Sequence, residues 1–135
     1  MSETPTPGGP GVDPNNPWGT FLDVKFGPLE RFDAMAMAAA VTLPWYNQTL
    51  ARVNACVFRL GVVRGDYPWH RHDDEDELFF VLGGALELDL EGRGPIALGT
   101  GQGTVVPRGV RHRPRAAERT VILMVEGAGI VPTGD

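Results

Sequence analysis

In the stretch WHRHDDEDELFF, residues 69–80, His70 and His72 stand one residue apart, followed by five consecutive acids and an apolar run. The chain has three histidines, and the third, His112, lies in PRGVRHRPR. Imidazole and carboxylate are ordinary ligands of divalent transition metals, so these residue types together point to metal chemistry. In an extended chain residues two apart face the same way, so His70 and His72 project together, with Arg71 opposite. Glu77 follows His72 by five positions, out of phase for one continuous strand. Residues 73–76 must therefore bend, with the short polar side chains that turns favour, and Glu77 opens the next strand facing the histidines. By the same alternation Arg111, Arg113 and Arg115 take the wet face of a strand whose dry face carries His112.

An interior carboxylate is costly unless paired or bound to metal. Three neutral imidazoles cannot compensate its charge, whereas a divalent cation can. Any one of these histidines taken singly reads as a hydrogen-bonded core residue. Taken together with Glu77 they favour a metal centre over a hydrogen-bonded polar cluster.

Short strands must position these groups. Eighteen glycines and twelve prolines in 135 residues punctuate the chain into many short elements, which predicts an all-β architecture. Residues 1–19, with five prolines and four glycines, read as a flexible arm that buries too little apolar surface to offset ordering entropy. Residues 20–52 read as an N-terminal extension. It carries one short helix within 27–41, on which Leu29, Phe32, Ala36 and Ala39 recur at helical spacing after Pro28. From residue 53 to 126 the pattern is six to eight strands at intervals of about ten residues, a sandwich or a closed barrel, and 127–135 form a tail. ELFFVLGGALELDLE reads as two strands around a turn at Gly83 and Gly84. In the second strand Leu86, Leu88 and Leu90 alternate with Glu87, Asp89 and Glu91. VRHRPRA and RTVILMVEG read as the last two strands.

Composition excludes several classes. A net charge of −5 argues against a nucleic-acid surface, which needs a basic excess. Cys56 is the only cysteine, so no intramolecular disulfide forms, and its place in a predicted strand reads as packing. Ser2 is the only serine and sits in the arm, which removes a serine triad. The longest apolar stretch, residues 34–41, is far below the ~20 residues of a spanning helix. The N-terminus has neither the basic nor the apolar region of a signal peptide. These readings predict a cytoplasmic protein without nucleic-acid or membrane partners.

The two histidine motifs resemble those of the cupin superfamily, specifically its small single-domain bacterial members. Gly65, His70, His72, Glu77 and Gly84 follow the order of the first cupin motif. Gly101, Pro107, Gly109 and His112 match the second at identical spacing, with sixteen residues between Gly84 and Gly101. The interval from Gly65 to His70 is one residue shorter than usual, and Ala116 replaces the asparagine that often follows the second-motif histidine. The resemblance implies a six-stranded jelly-roll barrel, a single cupin β-barrel with one short N-terminal helix. It implies one divalent metal (Fe, Mn, Ni, Co, Cu or Zn) held by His70, His72, Glu77 and His112. It also implies a homodimer acting on a small-molecule substrate.

Around that centre Phe79 and Val81 share strand parity with Glu77 and are expected to line the pocket. Leu78, Phe80 and Leu82 then face outward, to be covered by the helix or by a second subunit. Tyr67 and Trp69, just before the ligands, are candidate gates, and Arg108 a candidate rim group for an anionic substrate. The function expected is a metal-dependent enzyme with isomerase, cyclase, lyase or dioxygenase chemistry. The alternative is a metal-dependent binding or sensing module without turnover. A cupin sensor usually carries a DNA-binding domain, for which this chain has no evident room.

Overall fold

β3 (Cys56–Asp66) and β8 (His112–Gly127) form the spine of the sheet, antiparallel from Cys56↔Gly127 to Asp66↔Arg115. The computed structural model describes residues 6–134, so Ser2 and the start of the predicted arm lie outside the described residues, as does Asp135 at the end of the predicted tail. One sheet of eight strands runs β1 (Thr20–Phe21), β2 (Tyr46–Val53), β3, β8, β4 (Glu77–Gly83), β7 (Gly103–Val106). β5 (Ala85–Leu90) branches from β8 and carries β6 (Arg93–Gly99). The resemblance implied six strands. The extra pair comes from the N-terminal extension, where β1 lies parallel to β2 and β2 pairs with β3 around a turn holding Asn54 at φ 53°. The sheet therefore begins before residue 53.

The two predicted C-terminal strands are one, because β8 is long enough to serve two neighbours. It pairs with β4 through residues 121–125 and with β5 through residues 112–115. β4 and β5 thus run in the same direction along β8 and are not paired with each other as a hairpin. Gly83 and Gly84 make the bend between them. Gly84 has φ 111°, and a Cβ there would meet Thr120 Oγ1 at 2.6 Å, so only glycine fits.

Two apolar layers result. The interior holds Phe79, Val81, Leu86, Leu88, Leu90, Ile122 and Met124, and each such side chain contributes about 1.5–3 kcal/mol by burial. On the outer face Leu50, Leu60, Val62 and Val121 pack under α1 (Ala34–Ala40). Leu82 joins that layer, whereas Leu78 and Phe80 stay half-buried.

The helix is shorter than predicted and rotated. Asp33 caps it by accepting from Ala36 N at 3.0 Å. Leu29 sits at φ 65° and is fully exposed. The packed face is Ala34, Met37, Ala38 and Val41, while Ala36 and Ala39 are exposed. Cys56, expected to pack, is exposed because it opens β3 directly after the turn. The expected flexible arm is built against the barrel over its described end: Asn16 holds Thr20 through both its side-chain atoms, and Trp18 packs on Trp45 and Tyr67. One aromatic side chain outweighs the surrounding composition.

Candidate metal centre

His70 lies outside the regular strands, on an isolated bridge to the first residue of β8. His70 N donates to His112 O at 2.9 Å and His112 N to His70 O at 2.8 Å. This pairing places the two rings 4.3 Å apart between centroids. His72 follows on the same face while Arg71 is exposed, and residues 73–76 form the expected exposed turn. Two second-motif residues clamp the ligand loop from the other side. Gly109 N donates to His72 O, and Arg108 N donates to the Asp76 carboxylate. Glu77 then opens β4 facing inward, with 5% of its surface exposed.

The four side chains converge. One ligand atom from each of His70, His72, Glu77 and His112 lies within 4.8 Å of all the others, and all four residues are buried. Nδ1 of His70 and of His112 face the carbonyls of Pro68 and Val110 at 2.8 and 2.9 Å. A carbonyl only accepts, so each Nδ1 carries the proton and each Nε2 keeps its lone pair. His72 Nε2 stands 3.4 Å from Glu77 Oε1 without hydrogen-bond geometry, and both its nitrogens are buried without a hydrogen-bond partner. His112 Nε2 faces the same oxygen at 3.3 Å. Orphaned imidazole nitrogens around one carboxylate fit a divalent cation.

Electrostatics favour the ligand forms. Burial and the neighbouring His112 lower His70 to about 4, keeping it neutral. Burial alone would raise Glu77, but the polar side chains of His112, His72 and Glu126 around it outweigh burial and hold the carboxyl well below its ordinary range. Tyr67 is raised by burial and by the charges of Glu77 and Glu126, so its hydroxyl stays protonated.

A cavity of about 30 Å³ opens beside the ligands, lined by His70, Glu77, Tyr67, Phe79 and the N-terminal Trp18 and Trp45. Of the predicted pocket residues, Tyr67 and Phe79 line it. Val81 is fully buried in the interior core but does not reach the cavity. Trp69 faces outward, with the Arg111 and Arg113 guanidinium groups each 5.2 Å from its ring, because it adjoins the inward His70 in an extended segment. Arg108 is exposed in the clamp turn and does not line the cavity. Among the lining residues no lysine or arginine occurs.

Sequence reasoning missed Arg59 and Glu126. Both are 2% exposed, with Arg59 Nε 3.1 Å from Glu126 Oε1. Burial and the charge of Glu77 raise Glu126 to about 10. The available signal was a charged residue inside each of two otherwise apolar strands, VFRLGVV and ILMVEG.

Residues 58–126 match the family model of the cupin domain. The chain belongs to the cupin family. This cupin is 39% identical over 92 residues to the uncharacterized protein YdbB of Bacillus subtilis, covering 68% of this chain and 81% of that one. It is 36% identical over 67 residues to the dimethylsulfoniopropionate lyase DddQ of Ruegeria pomeroyi, half of this chain but only 33% of the lyase. A cupin-2 domain protein of Shewanella frigidimarina shares its fold with a TM-score of 0.67 at 31% identity, over 71% of this chain and 93% of that one. Among the described residues no helix is long and apolar enough to cross a membrane.

Proposed function

We propose that this cupin is a metal-dependent enzyme acting on a small organic molecule at a centre formed by His70, His72, Glu77 and His112. The observation that carries the reading is the convergence of four buried ligand groups beside a cavity. A divalent cation held there supplies Lewis acidity toward a substrate oxygen or, if redox-active, a site for dioxygen. Around it Tyr67 offers a protonated hydroxyl, buried and without a hydrogen-bond partner, that can donate to a substrate oxygen. Trp18, Trp45, Phe79 and Met124 exclude water. The lining holds no cation for a phosphate, so the substrate we favour is small, uncharged apart from metal-binding oxygens, and handled by isomerase, cyclase, lyase or dioxygenase chemistry. Partial similarity to a lyase supports that range without choosing within it. We read the protein as a cytoplasmic homodimer.

Elemental analysis of protein purified from its own host is expected to give about one metal per chain, and His72→Ala or Glu77→Gln at least about a tenfold loss of affinity. An oxygen-uptake screen then divides the chemistries: iron with oxygen consumption selects a dioxygenase, and redox-inert zinc selects isomerase, cyclase or lyase turnover. Metal-free, fully stable protein at neutral pH would overturn the assignment.

A further inference from the structure

The cavity beside the ligands is about 30 Å³, room for about two water molecules, so an organic molecule enters only when a wall side chain moves. Trp18 and Trp45 also bound a surface depression of about 440 Å³ that includes Arg64 and Asp66. These two tryptophans are the residues that the cavity and the depression share.

They are held very differently. Trp45 directly precedes β2 and is 6% exposed. Gly19 lies so close to it that a Cβ on that glycine would stand 2.3 Å from Trp45 O. Trp18 is half-buried and belongs to no strand. It follows Pro17 and precedes Gly19, whose φ of 57° marks a bend. The turn bearing it is anchored through Asn16 to Thr20, independently of the indole. The indole itself is held by edge contacts, 5.0 Å to Trp45 and 4.8 Å to Tyr67 between centroids. Tyr67 in turn packs against His70 at 5.4 Å. Trp18 belongs to no strand, so moving its side chain breaks no sheet hydrogen bond. Pro132 of the C-terminal tail also lines the cavity but does not border the depression.

We infer that Trp18 is the gate of the metal cavity and the residue that sets the size of molecule reaching the centre, with the Arg64–Asp66 depression as its vestibule. The inference rests on the metal-centre reading proposed above.

The test uses full-length protein loaded with Co(II), whose visible absorption reports a change of ligand. Two probes share one donor group and differ in bulk: imidazole and 4-phenylimidazole. Wild type is expected to bind imidazole and to discriminate against 4-phenylimidazole. Trp18→Ala is expected to bind the larger probe at least about tenfold more tightly, with imidazole changed by less than about threefold. Trp18→Leu, which keeps an apolar contact on Trp45 and Tyr67, should fall between the two and guards against misfolding of the alanine variant. An unchanged ratio of the two affinities in both variants would overturn the gate, as would selective relaxation by Pro132→Gly alone. Failure of wild type to take up cobalt would instead overturn the metal-centre reading, and the gate with it.

Discussion

At the scale of single residues, two backbone carbonyls decide the chemistry of two imidazoles. Pro68 O and Val110 O fix the proton on Nδ1 of His70 and His112, leaving Nε2 free for a cation. This has a pH consequence. His70 is lowered to about 4 in the fold against about 6.5 in an unfolded chain, so between these values the unfolded chain binds more protons. The contribution of His70 to the stability of the metal-free protein is therefore present above about 6.5 and lost as pH falls from there towards about 4. Glu126, raised to about 10, slopes the other way over part of that range, so chemical denaturation is compared between wild type and His70→Gln, and the stability of wild type relative to the variant should fall as pH drops through it. A pH-independent difference would mean that His70 is not held neutral by burial. Arg59 gives a second test. Glu126 keeps its proton at neutral pH, so the charge at risk is the buried Arg59 guanidinium: Glu126→Leu removes its nearest acceptor and should cost about 3 kcal/mol, and Glu126→Leu with Arg59→Met considerably less. Equal losses in urea unfolding would show that the two do not act as a pair.

At the scale of elements, two turns bring the candidate ligands together. The 73–76 turn reverses the chain between His72 and Glu77, and the turn around Gly109, at φ 80°, ties His72 to the approach of His112. The bend at Gly84 matters equally, since it lets β4 and β5 share β8 and so keeps Glu77 opposite His112. Gly84→Ala combines a strained φ with a Cβ 2.6 Å from Thr120 Oγ1, so it should cost about 2 kcal/mol or more. A melting temperature equal to wild type would show that the bend tolerates a side chain. The helix illustrates where pattern reading stops. Its apolar residues suit more than one phase of a short helix, and only the sheet surface under Ala34, Met37 and Ala38 selects one.

At the scale of the whole molecule, both faces of the central sheet are apolar. Leu78 and Phe80 remain half-buried, and Phe21, Leu22 and Val24 are 40, 55 and 47% exposed along the N-terminal edge. Exposed apolar side chains of this kind suit a partner, and light scattering of the purified protein should give the mass of two chains; a monomer at micromolar concentration would remove the homodimer reading. The His70, His72, Glu77 and His112 cluster and the all-β class were legible in the residues themselves. Alternation of facing is a local property, and His70, His72, Glu77, the acidic turn and the Leu86–Leu88–Leu90 face follow from it. What local pattern could not decide was anything resting on contacts between distant segments. The sharing of β8 by β4 and β5, the outward turn of Trp69 beneath two arginines and the Arg59–Glu126 pair are of this kind. So is the docking of Trp18 over the cavity, because a Pro- and Gly-rich stretch carries no periodicity, and its place depends on surfaces that exist only once the barrel has formed.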